Sequence, residues 1–389
     1  MARPKGHFFR DERTPGTWRL ILSSVDGAGV RKRLCHTIHA DSERDAQRQK
    51  REILHSLDTG QYVPPSKQTV RRYLETWLEN KRATVERKTY QEYAKKLELY
   101  VMGTIGAYKI TELAAEQIQG VYTGMADRGL SAQTIQHVHS VLRQALTYAV
   151  RSGVIVRNPA LVVQLPKLAK PVRRHLTVEQ ANVLLDYCAG SWLHMPVLLA
   201  LGLGLRRGEA VGLQWGDVDL QHGSVTIRRS ATSITGGLDI KGTKTDRERS
   251  LRIPSLLIDA LQAAKAARVE FLLSLGEHLK PYDWVCAWED GSILAPDTIT
   301  MTFRIAQNAL NREAVARGER PVIDPPVRYQ DLRRTCGTWL HQKGVALAVI
   351  QQVLGHSNIT TTMRYLDITD EMQAVAADVL DAQLRKVRK

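Results

Sequence analysis

Two proline-marked breaks constrain this chain more than any other feature. The first is Tyr62-Val-Pro-Pro-Ser66; the second is the stretch 158–174, NPALVVQLPKLAKPVRR, which three prolines interrupt. Proline fixes φ and lacks a backbone N–H, so helices and ladders stop at such runs. The 389 residues are therefore expected to fold as separate pieces, near 1–60, 67–160 and 175–389. The length suits two or three domains, each burying its own core.

Each piece has its own periodicity. In 1–60, His7–Arg10, Trp18–Ser24 and Arg31–His39 read as strands, with turn signals at Pro15-Gly16 and Asp26-Gly27. A helix follows from a Ser42 cap to Asp58. This β-rich module is strongly basic. A three-stranded sheet of that kind can enter a DNA major groove, and a solvated basic surface is the other reading.

In 67–160, Val70, Tyr73, Leu74, Trp77 and Leu78 mark one face of a helix. Further helices are expected near 89–100, 114–126 and from Ser131 onward, giving a four-helix domain with no catalytic constellation. His137 and His139 are two apart and face different sides, as surface or packing residues do.

The last piece is mixed. Thr177 caps a helix, and the apolar run Met195–Leu205 is too short to span a bilayer, so it reads as a buried core helix. The glycine-rich segment LGLGLRRGEAVGLQWGDVDL turns sharply and presents Arg206 and Arg207 beside Glu209. Strands Ser224–Ser230 and Ser250–Ile253 flank a polar hairpin carrying Lys241 and Lys244; another strand is expected at Asp283–Trp288 and a helix at Thr298–Asn311. An amphipathic segment then carries Arg333 with Leu332, Cys336, Trp339 and Leu340 as its stripe. A second has Leu347, Ile350, Val353 and Leu354 at helical steps, and Gly355 stops it. His356 sits at the turn, and Tyr365 follows nine residues later.

Composition narrows the partner. Lys and Arg number 55 against 40 Asp and Glu, a net +15, which points to a polyanion and above all to nucleic acid. The four cysteines are scattered with no CxxC pair, so neither a zinc site nor a disulfide framework is expected. No metal or other cofactor is implied. The N-terminus lacks an apolar signal region, and the expectation is a soluble, cytoplasmic protein with no membrane partner.

Cleaving a phosphodiester without metal takes a nucleophile, cations for the non-bridging oxygens and a proton donor for the leaving 5′-oxygen. Tyr365 is a candidate nucleophile, but a free phenol has a pKa near ~10 and needs a strongly positive site to react as phenolate. Arg206 and Arg333 suit that task, because guanidinium forks match phosphate bidentately. Lys244 suits the proton donor, since surrounding cations lower a lysine pKa. His356 suits hydrogen bonding to a phosphate oxygen.

The order G-L-R-x-G-E, then T-K-T in a hairpin, then D-L-R-x-T, then L-G-H with tyrosine nine residues on, resembles the tyrosine recombinase (phage integrase) family, over the full chain. The resemblance implies a multidomain, mainly α fold: a small β-rich arm-binding module, a four-helix core-binding domain and a mixed α/β catalytic domain. It implies a site-specific recombinase, the integrase of a mobile element, working through a 3′-phosphotyrosyl intermediate without cofactor. Arg206, Lys244, Arg333, His356 and the nucleophile Tyr365 match the family's catalytic positions, with Lys241 the weaker choice for the hairpin lysine and Glu209 supporting Arg206. Gln330 departs from the pattern: the family usually has histidine there, and glutamine can donate a hydrogen bond but take no proton near neutral pH. Double-stranded DNA with core and arm attachment sites, a homotetramer on DNA docked through the tail 370–389, and an accessory bending or directionality protein are the implied partners. A type IB topoisomerase-like relaxing enzyme and a non-catalytic architectural DNA-binding protein are the alternatives.

Overall fold

The computed structural model describes residues 6–25, 31–58, 66–169, 174–242 and 248–363. The chain divides into two compact units, Met1–Lys170 and Pro171–Lys389, and each is taken by itself.

The first unit opens with three antiparallel strands in sequential order, β1 (Gly6–Arg10), β2 (Thr17–Val25) and β3 (Arg31–His39). The register sets Phe8 opposite Leu20 and Trp18 opposite Ile38. Alternation by two therefore gathers Phe8, Trp18, Leu20 and Ile38 on one face. Helix α1 (Glu43–Asp58) closes over that face, with Ala46, Ile53 and Leu54 completing a small core. Ser42 caps it, its Oγ accepting from the Asp45 N–H at 3.2 Å.

Four helices follow: α2 (Val70–Arg82), α3 (Arg87–Leu97), α4 (Ala115–Asp127) and α5 (Ala132–Arg151). A wider turn at Glu98–Met102 prolongs α3. The expected stripe of α2 is buried throughout, and Ser131 caps α5 through the Thr134 N–H at 3.2 Å. His139 is a packing residue, buried against the Tyr122 hydroxyl at 3.2 Å. Beyond α5, Gln119 pairs with both backbone groups of Gln164, at 2.8 and 3.3 Å, and seats the start of the connecting segment on the bundle.

In the second unit α6 (Val178–Cys188) begins at Thr177 with a reciprocal cap from Gln180. The buried α7 (His194–Leu203) and short α8 (Arg207–Val211) come next. The expected single strand over 224–230 is broken at Arg228. Its first half, β5 (Ser224–Ile227), lies between β4 (Val218–Asp219) and β8 (Arg249–Arg252); its second half, β6 (Arg229–Ile234), forms a separate hairpin with β7 (Gly237–Gly242). The strand expected at Asp283–Trp288 is not formed: only two isolated bridges occur there, Gln214 with Trp284 and Ala287 with Ile293.

The long helix α9 (Ser255–Ser274) was not legible in the sequence. It buries Leu257, Leu261 and Leu272, but Leu256, Phe271 and Leu273 face out, so no one-sided stripe marks it. Helices α10 (Pro296–Ala316), α11 (Tyr329–Gln342), α12 (Leu347–Leu354) and α13 (Ile359–Met363) complete the described part. One core joins α7, α10, α11 and the sheet, with Phe303 against Tyr329 edge to face. Among the described residues no helix is long and apolar enough to cross a membrane.

Candidate active site

The site is assembled around a buried carboxylate. Glu209, on α8, is only 2% exposed. It closes the helix start by accepting the Arg206 backbone N–H on Oε2 at 2.9 Å. Oε1 accepts the Arg206 Nη1 at 2.6 Å. Arg249, at the start of β8, approaches end-on and donates Nη1 to Oε1 at 3.1 Å and Nη2 to Oε2 at 2.7 Å. The Arg333 Nη1 stands 3.9 Å from Oε2. Burial alone would raise the Glu209 pKa, yet the hydrogen bonds and charge of Arg249, with the Arg206 charge and N–H, hold it at about 2.

Two of these arginines grip the turn after α12, and the third lies beneath it. Gly355 ends that helix with φ +59°, its N–H donating to the Gln352 carbonyl at 3.0 Å and the His356 N–H to the Gln351 carbonyl at 3.1 Å. The carbonyls of the turn are spent on guanidiniums: Arg206 Nη2 donates to Gly355 O at 3.1 Å, and Arg333 Nη2 donates to Leu354 O. Arg249 lies under Gly355, where a Cβ would stand 2.9 Å from its Nη1. His356 is thus held beside three positive charges. Burial first, then Arg333, Arg206 and Arg249, pull its pKa from 6.5 down to about 4, so its imidazole is neutral at physiological pH.

The two arginines expected to act together sit differently. Arg206 keeps 41% of its side chain exposed, whereas Arg333 is buried and also donates Nη1 to the Gly204 carbonyl at 2.7 Å. Arg333 thereby ties the end of α7 to the end of α12. Gln330 is exposed in the first turn of α11, one turn before Arg333. Lys244 and Tyr365 lie outside the described residues. Lys241, on β7, pairs with Asp239 at 2.9 Å.

The hairpin that leads to Lys244 is fixed at its base. Asp217, buried before β4, accepts Arg228 Nη1 at 3.3 Å and also Arg229 Nη2, and Arg228 reaches Glu248 at 3.3 Å on the returning side. Gly208 completes the fit, since a Cβ there would stand 2.4 Å from the Ala231 carbonyl oxygen. Sequence reasoning missed Arg249 altogether. It sits in the run Asp-Arg-Glu-Arg that reads as solvated charge, forty residues from its partner, and no local spacing marks it. Among the described residues no cluster of three or more His, Cys, Asp or Glu suits a metal.

The sequence model of the phage integrase family matches residues 174–372, just over half the chain, and that of the phage integrase central domain matches 70–164. A tyrosine recombinase XerC-like protein of Caldanaerobacter subterraneus subsp. tengcongensis is 26% identical, over 88% of this chain and 90% of its own. A putative prophage phiRv2 integrase of Mycobacterium tuberculosis is 26% identical over 90% and 88%. Among solved structures, the Tn1549 transposon integrase in complex with transposon right end DNA superposes with a TM-score of 0.68 at 20% identity, covering 80% of this chain and 99% of that one. A lambda integrase tetramer bound to a Holliday junction gives 0.58 at 18% identity, covering 92% and 96%. The chain belongs to the phage integrase family, the tyrosine recombinases, and is a site-specific recombinase of that type.

Proposed function

We propose that the protein is the integrase of a mobile element and that it cuts DNA through Tyr365. The observation that carries this reading is the turn Leu354-Gly355-His356, gripped by Arg206 and Arg333, which gather with Arg249 about one buried carboxylate. Such a preorganised cationic pocket suits the charge that develops on a phosphodiester under attack.

In the proposed reaction the Tyr365 oxygen attacks the scissile phosphorus as its proton is lost to water. The bond from phosphorus to the 5′-oxygen breaks, and Lys244 gives a proton to the leaving oxygen. The strand remains as a 3′-phosphotyrosyl ester until the 5′-hydroxyl of a partner duplex displaces the tyrosine. Arg206 holds a non-bridging oxygen from the exposed side, and Arg333 adds charge from within. A neutral His356 donates a hydrogen bond to the phosphate; Gln330, without a titrating proton, adds another.

The partners follow from the same reading. The β-rich module engages arm sites, the four-helix domain and the catalytic domain engage the core site, and four copies assemble on DNA with an accessory bending or directionality protein. The prophage and transposon relatives, and the lambda integrase tetramer on a Holliday junction, support the mobile-element role.

The test uses a nicked duplex built from the DNA flanking the coding sequence, where an integrase's own attachment site is expected. Wild type forms a covalent protein–DNA adduct and Tyr365→Phe forms none. Strand exchange between two duplexes separates recombination from simple relaxation. Binding with no adduct from wild type would overturn the catalytic reading in favour of an architectural protein.

A further inference from the structure

With Arg206 taken as the phosphate-binding group, as proposed above, we propose that Arg249 is a positioning residue: it neutralises Glu209 and so keeps Arg206 available to DNA. A carboxylate that is 2% exposed stays ionised only if cations satisfy it. Two guanidiniums compete for that task. Arg249 is turned inward, its side chain 10% exposed, and it spends both terminal nitrogens on the two oxygens. Arg206 gives that carboxylate one, Nη1, and the Gly355 carbonyl the other, Nη2, and its side chain stays 41% exposed. The division of labour keeps Arg206 from being drawn wholly onto the carboxylate.

Removing Arg249 ends that division. Glu209 loses the only partner that holds both its oxygens by side-chain donors among the described residues. Arg206 is then the neighbour able to swing in and close a fork-to-fork pair, the strongest geometry for a guanidinium and a carboxylate. A phosphate would have to compete with that buried carboxylate for the same nitrogens. The charge count points the same way. Three guanidiniums around one carboxylate leave two net positives. Arg249→Ala leaves one, and adding Glu209→Gln restores two while abolishing the competitor. The double variant should therefore cleave faster than the single one when both are compared per folded molecule, with thermal unfolding giving the folded fraction, since a merely structural arginine would change that fraction and not the rate of the folded enzyme.

The experiment measures adduct formation by the full chain on the nicked duplex described above. Arg249→Ala is expected to slow adduct formation about 100-fold, with DNA affinity within about threefold of wild type. Arg249→Ala with Glu209→Gln is expected to regain at least about tenfold of that loss. A double variant as slow as the single one, or Arg249→Ala cleaving at the wild-type rate, would overturn the proposal. Where the alanine variant does not fold, Arg249→Lys carries the test: it keeps the charge but cannot hold both carboxylate oxygens, so it is expected to lose about tenfold, a loss that adding Glu209→Gln reverses; a lysine variant that Glu209→Gln does not speed up would refute the idea. Arg206→Ala separates the two levels. If it cleaves normally, the phosphate assignment falls and the role of Arg249 with it; if it is inactive and the double variant shows no recovery, only the role of Arg249 falls.

Discussion

Gly355 leaves Arg249 the space a side chain would take: a Cβ built on the glycine would stand 2.9 Å from Nη1 and 3.1 Å from Cδ of the arginine. The glycine also holds φ at +59°, where side chains are strained. Gly355→Ala is therefore expected to cost about 1–3 kcal/mol of stability and to push Arg249 off Glu209. Thermal unfolding and adduct formation measured together check this; a variant as stable and as fast as wild type would refute the contact.

Acid should act through Glu209. Its folded pKa, about 2, lies below the ordinary value of 4.5. The ionised form is thus favoured by folding, and the stability it contributes is present above pH 4.5 and lost as pH falls toward 2. Glu209→Ala removes it at every pH and leaves Arg249 and Arg333 facing each other without a counter-charge, at an expected cost of about 3–5 kcal/mol. Urea unfolding between pH 2 and 7 measures both: the difference between wild type and variant should shrink toward the acid end.

His356 shows the opposite sign of charge with the same direction in pH. Folding lowers its pKa from 6.5 to about 4, so the neutral ring is favoured. Its contribution is whole above pH 6.5 and declines as pH falls to 4. Imidazole NMR of the DNA-free protein should find its midpoint near 4, and a bound phosphate should move the midpoint up. A midpoint near 6.5 without DNA would mean that the ring is neither buried nor flanked by the three arginines.

Gly208→Ala tests the seat of the hairpin. A Cβ there would meet Ala231 O at 2.4 Å and Ser230 Oγ at 2.5 Å, and the first of these is backbone that cannot rotate away. The expected loss is about 1–3 kcal/mol, together with slower cleavage as β6 and the segment leading to Lys244 shift. Hydrogen exchange across β6 and β7 would register the displacement.

Gln330→His installs the histidine that the resemblance to the family leads one to expect at this position. A phenol among several cations can lose its proton to water, so the added base is expected to change adduct formation by less than about tenfold. A larger gain would show that general-base help is missing in the native chain.

Local signals were the legible ones. The Thr177 and Ser131 caps, the α2 stripe and the Gly355 stop are short-range patterns, and each forms where its residues predict. The order of Arg206, Arg333 and His356 also pointed to one pocket. What the sequence hid is long-range or two-sided. Arg249 finds Glu209 across forty residues, the strand 224–230 splits because its halves pair with different partners, and α9 spreads apolar residues around its whole circumference.

Asp217 carries a consequence for engineering. Its carboxylate, reaching from outside the hairpin, locks Arg228 and Arg229 at the hairpin root. A chimera that imports a foreign hairpin over positions 229–248 would leave that buried anion with Arg228 as its one remaining arginine unless the donor segment also brings an arginine to its first position. Grafts meant to retune this enzyme should therefore be cut upstream of 217, so that the lock travels with the part it secures.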